Sequence, residues 1–405
     1  MTQKTALVIS TLDTKGRETL YLKEKIEALG VDTLLMDISM RSNGPSPADI
    51  SPDEVVTAGG SSLEEIHASR ERAKITNIVI AGASRIATKL YQEGKMDGVI
   101  GLGGSTGSLM ATEVMRSLPF SVPKLMVSST AALPGLSTRY IGTGDIALFH
   151  SVVEISGLSN ALKNVLDRAA CAVTGMIQGA VTPAGSNEAG KAIALTMLGP
   201  CEKCASTVRK GLEDKGYQVT GFSAAGIGDR AMEDMIAHGL FQGVVDLAPG
   251  GVGEHLFGFM RDAGPRRLES AGEAGIPQVI SLCSVNHMTP RKSRYKPEYK
   301  NRPKYDLDKY RTWLRMSTDE LRQVARIFAE KINRARGPVR LVVPLEGWSS
   351  VDQAGNPTYA PDEDRLFIQE LRNQLNPDIE IREVNANMEE PAFAQALLEA
   401  ALEIF

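Results

Sequence analysis

Residues Asp97–Leu109 read DGVIGLGGSTGSL. The uncharged run Val99-Ile100-Gly101-Leu102 has the character of a strand buried in a parallel sheet. It opens through Gly103-Gly104-Ser105-Thr106-Gly107-Ser108 into Leu109–Leu118, a segment with helical patterning. Glycines let a backbone approach a ligand closely, amides point outward at a helix start, and the helix dipole favours negative charge there, so a phosphate or carboxylate is the natural guest. Ser105, Thr106 and Ser108 add hydroxyl donors. No Lys follows the glycines and their spacing is not G-x-G-x-x-G, so neither the Walker loop nor the dinucleotide fingerprint is present. A tight strand-to-helix turn without a ligand would use the same glycines.

Composition frames this stretch. A chain of 405 residues with 42% apolar side chains is long enough for two domains and can fill a substantial core. The net charge of −4 and the scatter of Lys and Arg give no general basic face for nucleic acid. Cys171, Cys201, Cys204 and Cys283 form no disulfide framework in so long a chain and point to a reducing cytoplasm. Met1-Thr2-Gln3-Lys4 leads straight into an apolar strand, so no signal peptide is expected, and no apolar run approaches the ~20 residues of a membrane span.

From the start of the chain, Thr5–Ser10 (TALVIS) is another uncharged strand, followed by Thr11-Leu12-Asp13-Thr14-Lys15-Gly16 and a helix that stops at Gly30. Val31–Ile38 is the next strand, and Asp37 near its end suits either a ribose hydroxyl or a turn. Ser39–Ser62, with Asn43-Gly44-Pro45 and Pro47, reads as a long loop, and Leu63–Ile75 and Ile78–Glu93 read as helices. Beyond the glycine loop, Lys124–Val127 runs into Ser128-Ser129-Thr130-Ala131, and Tyr140–Ile146 (YIGTGDI) follows. Hydroxyl- and glycine-rich residues thus recur at strand ends, the edge of an open parallel sheet where ligands sit. Thr11, Asp13, Thr14 and Lys15, Gly103 to Ser108, and Ser129 and Thr130 are the candidate phosphate-binding residues, with Lys15 placed for phosphate and Asp13 for Mg²⁺.

The second half restarts the pattern. Lys191–Met197 is a strand, Cys204–Lys215 a helix closed by Gly216, and Tyr217–Phe222 a strand; Ala192 stands as far from Gly216 as Ala6 does from Gly30. Gly243–Leu247 repeats the buried strand and Pro249-Gly250-Gly251-Val252-Gly253 the glycine loop. The chain therefore reads as two α/β domains, 1–184 and 185–405, joined near Thr182–Ser186, each a Rossmann-like fold with a mainly parallel sheet flanked by helices. Strands at Gln278–Cys283 and Val339–Val343 and helices at Thr318–Ala335 and Glu363–Asn373 continue it. Between them lies a charged loop, Arg291–Arg315, in which basic residues alternate with Tyr295, Tyr299, Tyr305, Tyr310 and Trp313. Such a loop suits an anionic ligand or a nucleic acid, but a loop that is solvated or packs across a subunit interface is the favoured reading.

The set STLDTKG, GLGGSTGS, PKLMVSS, YIGTGDI, RDAGPRRLESAGEAGIPQVIS and EEPAFAQAL, in that order, resembles the Tm-1-like ATP-binding family, also known as the UPF0261 family, over nearly the whole chain. The resemblance implies two Rossmann-like subdomains, an ATP-binding N-terminal half and a homodimer. The family's G-T-x-D-T-K element matches Ser10, Thr11, Asp13, Thr14 and Lys15, with Ser for Gly. Its G-G-S-G-G-T loop matches Gly103 to Ser108, with Thr106 for a Gly and Ser108 for Thr. Departures cluster in the second half, where the family's H-A-T-G element reads Ser223-Ala224-Ala225-Gly226, its threonine- and acid-rich segment Ala248–Glu254, and its aspartate-containing segment Ser284–Met288.

Cys201-x-x-Cys204 stands at a strand-to-helix turn; with no second such pair, an activated thiol at Cys204 is favoured over a redox or zinc pair. Glu254, His255, Cys283 and His287 lie at the ends of neighbouring strands and are the candidate catalytic residues, joined by Glu346 and Ser349. If Gly250–Gly253 also presents amides to an anion, these groups would share its pocket. Two functions follow. One is an ATP- or nucleotide-binding protein. The other is a hydrolase or lyase acting, with or without a metal, on a small anionic carbonyl-containing metabolite between the domains, clamped by Arg291 or Arg294.

Overall fold

Apolar runs of four to six residues make the strands of the first unit: β1 (Thr5–Ser10), β2 (Asp32–Asp37), β3 (Gly98–Gly103), β4 (Lys124–Ser128) and β5 (Ala147–His150). They form one parallel sheet in the order β2-β1-β3-β4-β5. The computed structural model describes residues 3–40, 46–179, 190–309 and 311–405, so Asn43–Pro45, the junction at Thr182–Ser186 and Tyr310 lie outside it. The chain falls into two compact units, Met1–Ala184 and Gly185–Phe405.

β3 is buried along its whole length, as its uncharged sequence requires. At Gly101 a Cβ would come within 2.6 Å of the Met126 sulfur, which leaves glycine as the residue that fits. Helices cover both faces. Leu22 and Ile26 of the helix Leu12–Ala28, with Leu166 and Val173 of Asn160–Gly179, pack on Val8 and Ile100. On the other face Val79 and Ala83 of Arg72–Gln92, with Val114 of Ser105–Arg116, pack on Leu7, Ile9 and Val99.

Two segments differ from their sequence reading. The expected loop Ser39–Ser62 contains the helix Pro52–Ala58, started by a capping box between Ser51 and Glu54 with proline in the first turn. The helices after it run Leu63–Ala68 and Arg72–Gln92, so the break falls at residues 69–71. Tyr140–Ile146 is not at the ligand edge: Asp145 pairs with Lys124, the first residue of β4, at 2.7 Å. It precedes a strand parallel to β4 and so lies at the amino edge.

The second unit holds a six-stranded parallel sheet of β6 (Ala192–Met197), β7 (Gln218–Ser223), β8 (Gly243–Asp246), β9 (Gln278–Ile280), β13 (Val339–Pro344) and β14 (Glu380–Val384). The order β14-β13-β9-β8-β6-β7 puts β6 between its second and third strands, as β1 is in the first unit. The charged loop is partly regular: β10 (His287–Met288), β11 (Lys304–Asp306) and β12 (Thr312–Arg315) form a small antiparallel sheet. It buries Trp313 and Tyr299, aromatic residues that the sequence reading had assigned to an interface. No described helix is long and apolar enough to cross a membrane.

Arg267 is fully buried and holds the second unit's elements together, reaching Asp229 at 3.0 Å, Glu233 at 3.2 Å and Asp246 at 2.5 Å. Burial penalises both signs, but the three carboxylates more than offset it for the guanidinium and hold its pKa above the ordinary value. Removing the cation leaves three uncompensated acids. Arg267→Met is expected to cost about 3–5 kcal/mol. Both tryptophans, Trp313 and Trp348, belong to this unit, so denaturant unfolding followed by tryptophan fluorescence reads the loss there.

Candidate functional site

β1 and β3 are neighbours in the sheet, but the helices that follow them pack on opposite faces. Their loops therefore part at the carboxyl edge, and a crevice opens at this switch point of the strand order. A cleft of about 910 Å³ lies there. One wall is Thr11, Asp13, Thr14 and Lys15, and the facing wall is Gly104, Ser105, Thr106 and Gly107. The structure thus brings together two candidate loops that lie some ninety residues apart in sequence.

The two loops are not equivalent. After β1, the helix-start amides are already satisfied: Leu12 N donates to Asp37 Oδ1 at 3.1 Å and Asp13 N to Ser39 Oγ at 3.2 Å. Asp37 also accepts from Ser39 N at 2.9 Å and Ser46 Oγ at 2.8 Å, which assigns it to the turn. After β3, no side chain caps the helix Ser105–Arg116, and its first internal bond is Ser108 N to Gly104 O at 2.8 Å. The amides of Ser105, Thr106 and Gly107 therefore face the cleft at the positive end of a helix dipole. A Cβ on Gly104 would meet nothing nearer than Ser129 Oγ at 3.8 Å, and one on Gly107 nothing nearer than 3.9 Å. The cradle is open.

Behind these walls, Ser108 is buried and donates to Gly103 O at 3.2 Å and Ser128 Oγ at 2.7 Å, while Thr130 Oγ1 bonds Tyr140 at 2.8 Å. Ser129 reaches Glu154 at 3.4 Å. Gly103 ends β3 in full burial. Lys15 lines the cleft, but its ammonium is held by the carbonyl of Ile155 and lies 3.5 Å from Glu154. Among the described residues, the cations facing the cleft without a carboxylate partner are Arg70 and Arg72, with Arg72 Nη2 donating to Thr106 Oγ1 at 3.1 Å. Sequence reading missed both, along with His67, because they were read as part of a plain helix; only the helix break at 69–71 turns them toward the switch point.

Glu254, Cys283, His287 and Ser349 of the second unit are buried rather than open. Glu254, with no exposure, receives Arg261 Nη2 at 2.8 Å, Arg261 N at 3.1 Å and Thr289 Oγ1 at 2.6 Å. Its neighbour His255 turns to the surface and bonds Asp262 at 2.8 Å. Cys283 packs in the core with Cys201 and Cys204. Burial, with Cys201 close by, pushes the Cys283 and Cys204 thiols well above their ordinary range, so the helix N-terminus does not activate Cys204 as expected. Gly250 and Gly251 are packed against Ser284 and Ala263, and the helix they open has only seven residues. Glu346 bonds Tyr359 at 3.2 Å, while Ser349 is fully buried.

His287 belongs to a buried network. Asn286 donates through Nδ2 to Asp352 at 2.6 Å and Asp364 at 3.0 Å, so its Oδ1 is the acceptor for His287 Nδ1 at 2.7 Å. The imidazole is therefore the Nδ1–H tautomer, its Nε2 lone pair buried without a partner. Arg315 completes the network, 2.5 Å from Asp364 and 3.4 Å from Asp352. Burial, then Arg315 and Arg261, hold the His287 pKa well below its usual value. Among the described residues, no group of three His, Cys, Asp or Glu side chains is arranged for a metal ion.

Two doubly wound α/β units of like strand order, the first with a crevice at its switch point, define the class of protein. The chain belongs to the UPF0261 family: the "Uncharacterised protein family (UPF0261)" N-terminal domain matches residues 4–182 and the C-terminal domain residues 190–405. A "UPF0261 protein" of Clostridium tetani is 33% identical over 396 residues, covering 97% of each chain. One from Brucella melitensis is 31% identical over 97% of this chain and 93% of its own. The "ToMV resistance protein Tm-1(GCR237)" of Solanum lycopersicum is 30% identical over 98% of this chain and 55% of its own. Among solved structures, a UDP-N-acetylglucosamine 2-epimerase aligns over 93% of this chain with 11% identity and a TM-score of 0.23, too slight a likeness to bear on function.

The network makes stability depend on pH. Burial and the neighbouring Asp352 carboxylate push Asp364 up to about 8, from an ordinary value of 3.8. Between those values the folded chain binds the proton and the unfolded chain does not, so this group's contribution weakens as pH rises. His287, lowered by folding, acts oppositely but only below its ordinary 6.5. Unfolding free energy is therefore expected to fall from pH 6.5 to 8, and Asp364→Asn to flatten that slope in denaturant titrations read by tryptophan fluorescence.

Proposed function

We propose that the cleft of the first unit binds a nucleoside triphosphate, ATP, with its phosphates at the helix start Gly104–Gly107. The observation that carries the reading is an uncapped helix N-terminus facing a 910 Å³ cleft that also holds Arg70 and Arg72, which have no carboxylate partner among the described residues. Three outward amides, the Thr106 hydroxyl and two guanidiniums match a polyanion in charge and in donor geometry. The open space at Gly104 and Gly107 is what a phosphate needs in order to approach the backbone. Asp13, exposed on the facing wall and in no ion pair among the described residues, suits a phosphate-bound Mg²⁺. The family resemblance supports the same ligand. The acids and histidines of the second unit are engaged internally, so binding rather than turnover is the reading the geometry favours.

A Cβ at position 104 displaces nothing, and a branched side chain on it would occupy the cradle. Gly104→Val is therefore expected to abolish MgATP binding in calorimetry while leaving circular dichroism and unfolding unchanged. Arg72→Ala should weaken binding by about 10- to 100-fold, the equivalent of a charged hydrogen bond of about 1.5–3 kcal/mol. Undiminished affinity in both variants would rule out this cleft as the nucleotide site.

A further inference from the structure

A second cleft, of about 390 Å³, lies in the second unit between the turn Phe257–Met260 and the segment Arg291–Tyr299. Its floor is aromatic. Gly258 ends the helix Gly251–Phe257 in the left-handed conformation, at φ +71°, and the rings of Phe257 and Phe259 lie 5.9 Å apart on either side of it. Tyr299, buried, meets Phe259 edge-on at 6.2 Å. The floor is fixed from beneath. Phe259 N donates to Glu254 O at 2.9 Å, Met260 N to Thr289 O at 3.2 Å, and the Glu254 carboxylate ties Thr289 and Arg261 together. Glu254 is thus a positioning residue for this turn.

The rim is cationic. Arg291, Arg294 and Lys296 line the cleft and have no carboxylate partner among the described residues. Their loop neighbours do: Arg302 pairs with Glu320, Arg311 with Asp308, and Arg315 with Asp352 and Asp364. Glu298, the single acid between residues 291 and 304, does not line the cleft. Lys296 Nζ lies 5.5 Å over the Tyr299 ring. Three like charges gathered around a cavity repel one another, and a bound anion relieves that repulsion.

We infer that this cleft binds a small aromatic phosphate monoester, its ring on Phe257 and Phe259 and its phosphate among Arg291, Arg294 and Lys296. Three cations match a dianion better than a single carboxylate, and arginine forks match phosphate oxygens. The aromatic floor calls for a flat apolar body. The volume, near the lower end of the usual ligand range of about 300–1,000 Å³, calls for a compact one. The inference concerns the second unit alone and does not rest on nucleotide binding in the first.

Calorimetry with phenyl phosphate, inorganic phosphate and phenol, on the full chain carrying Gly104→Val to silence the first cleft, tests it. Phenyl phosphate is expected to bind at least about tenfold more tightly than either fragment. The double variant Arg291→Glu/Arg294→Glu, at two exposed positions, should weaken it at least about tenfold. Phe259→Leu should weaken phenyl phosphate and leave inorganic phosphate unchanged. No saturable binding, equal affinity for phosphate and phenyl phosphate, or full affinity in the charge-reversal variant would each overturn the assignment.

Discussion

The pairing of β1 with both β2 and β3 is the constraint on which the first unit depends. Because β1 lies between β2 and β3, the chain must leave it over one face of the sheet and return over the other, and the helices of the two connections cannot close over the same edge. The crevice is a consequence of strand order, not of any residue in it. What the residues add is polarity: an uncapped helix start after β3, and after β1 a loop whose own amides are spent on Asp37 and Ser39.

The second unit repeats the order and closes the crevice. Gly250 packs on the Ser284 carbonyl, Arg261 links Glu254 to Ser284, and Ser350 N donates to Pro200 O at 2.9 Å across the loop that follows β6. Cys201, Cys204 and Cys283 fill the space, and burial pushes the Cys204 and Cys283 thiols well above their ordinary range. Like topology therefore offers the same place twice, and side-chain volume and ion pairing decide whether it stays open. In this unit the open surface lies instead on the Phe257–Met260 turn, carried outward from the sheet on the buried Glu254–Thr289 contact.

The basic, aromatic segment shows how one composition serves two ends. Trp313 and Arg315 turn inward, where Arg315 bonds both Asp352 and Asp364, and Arg261 lies 4.6 Å from the Trp313 ring centre. Arg291, Arg294 and Lys296, earlier in the same segment, keep their charge at the surface. A linear reading sees alternating charge and aromatic residues. The small antiparallel sheet sorts them into core and rim.

The sequence by itself determined the α/β class, the two units and the two loops of the first cleft. Short uncharged apolar runs bounded by turn residues mark buried strands, and a glycine loop before a helix marks a strand-to-helix turn whose amides can face a ligand. The pattern in TALVIS and VIGLGG is local, and so it is legible. Tertiary structure decided the rest. Arg70 and Arg72 reach the cleft because a helix breaks at residues 69–71 and its successor packs against β1 and β3; YIGTGDI falls at the opposite edge because of the strand that follows it. Glu254 follows β8 and Cys283 and His287 follow β9 in the chain, but their burial and partners are set by folding, and the network around His287 draws on groups as distant in sequence as Asp352 and Asp364. A side chain's charge state depends on everything within a few ångströms, and that neighbourhood exists only once the chain has folded.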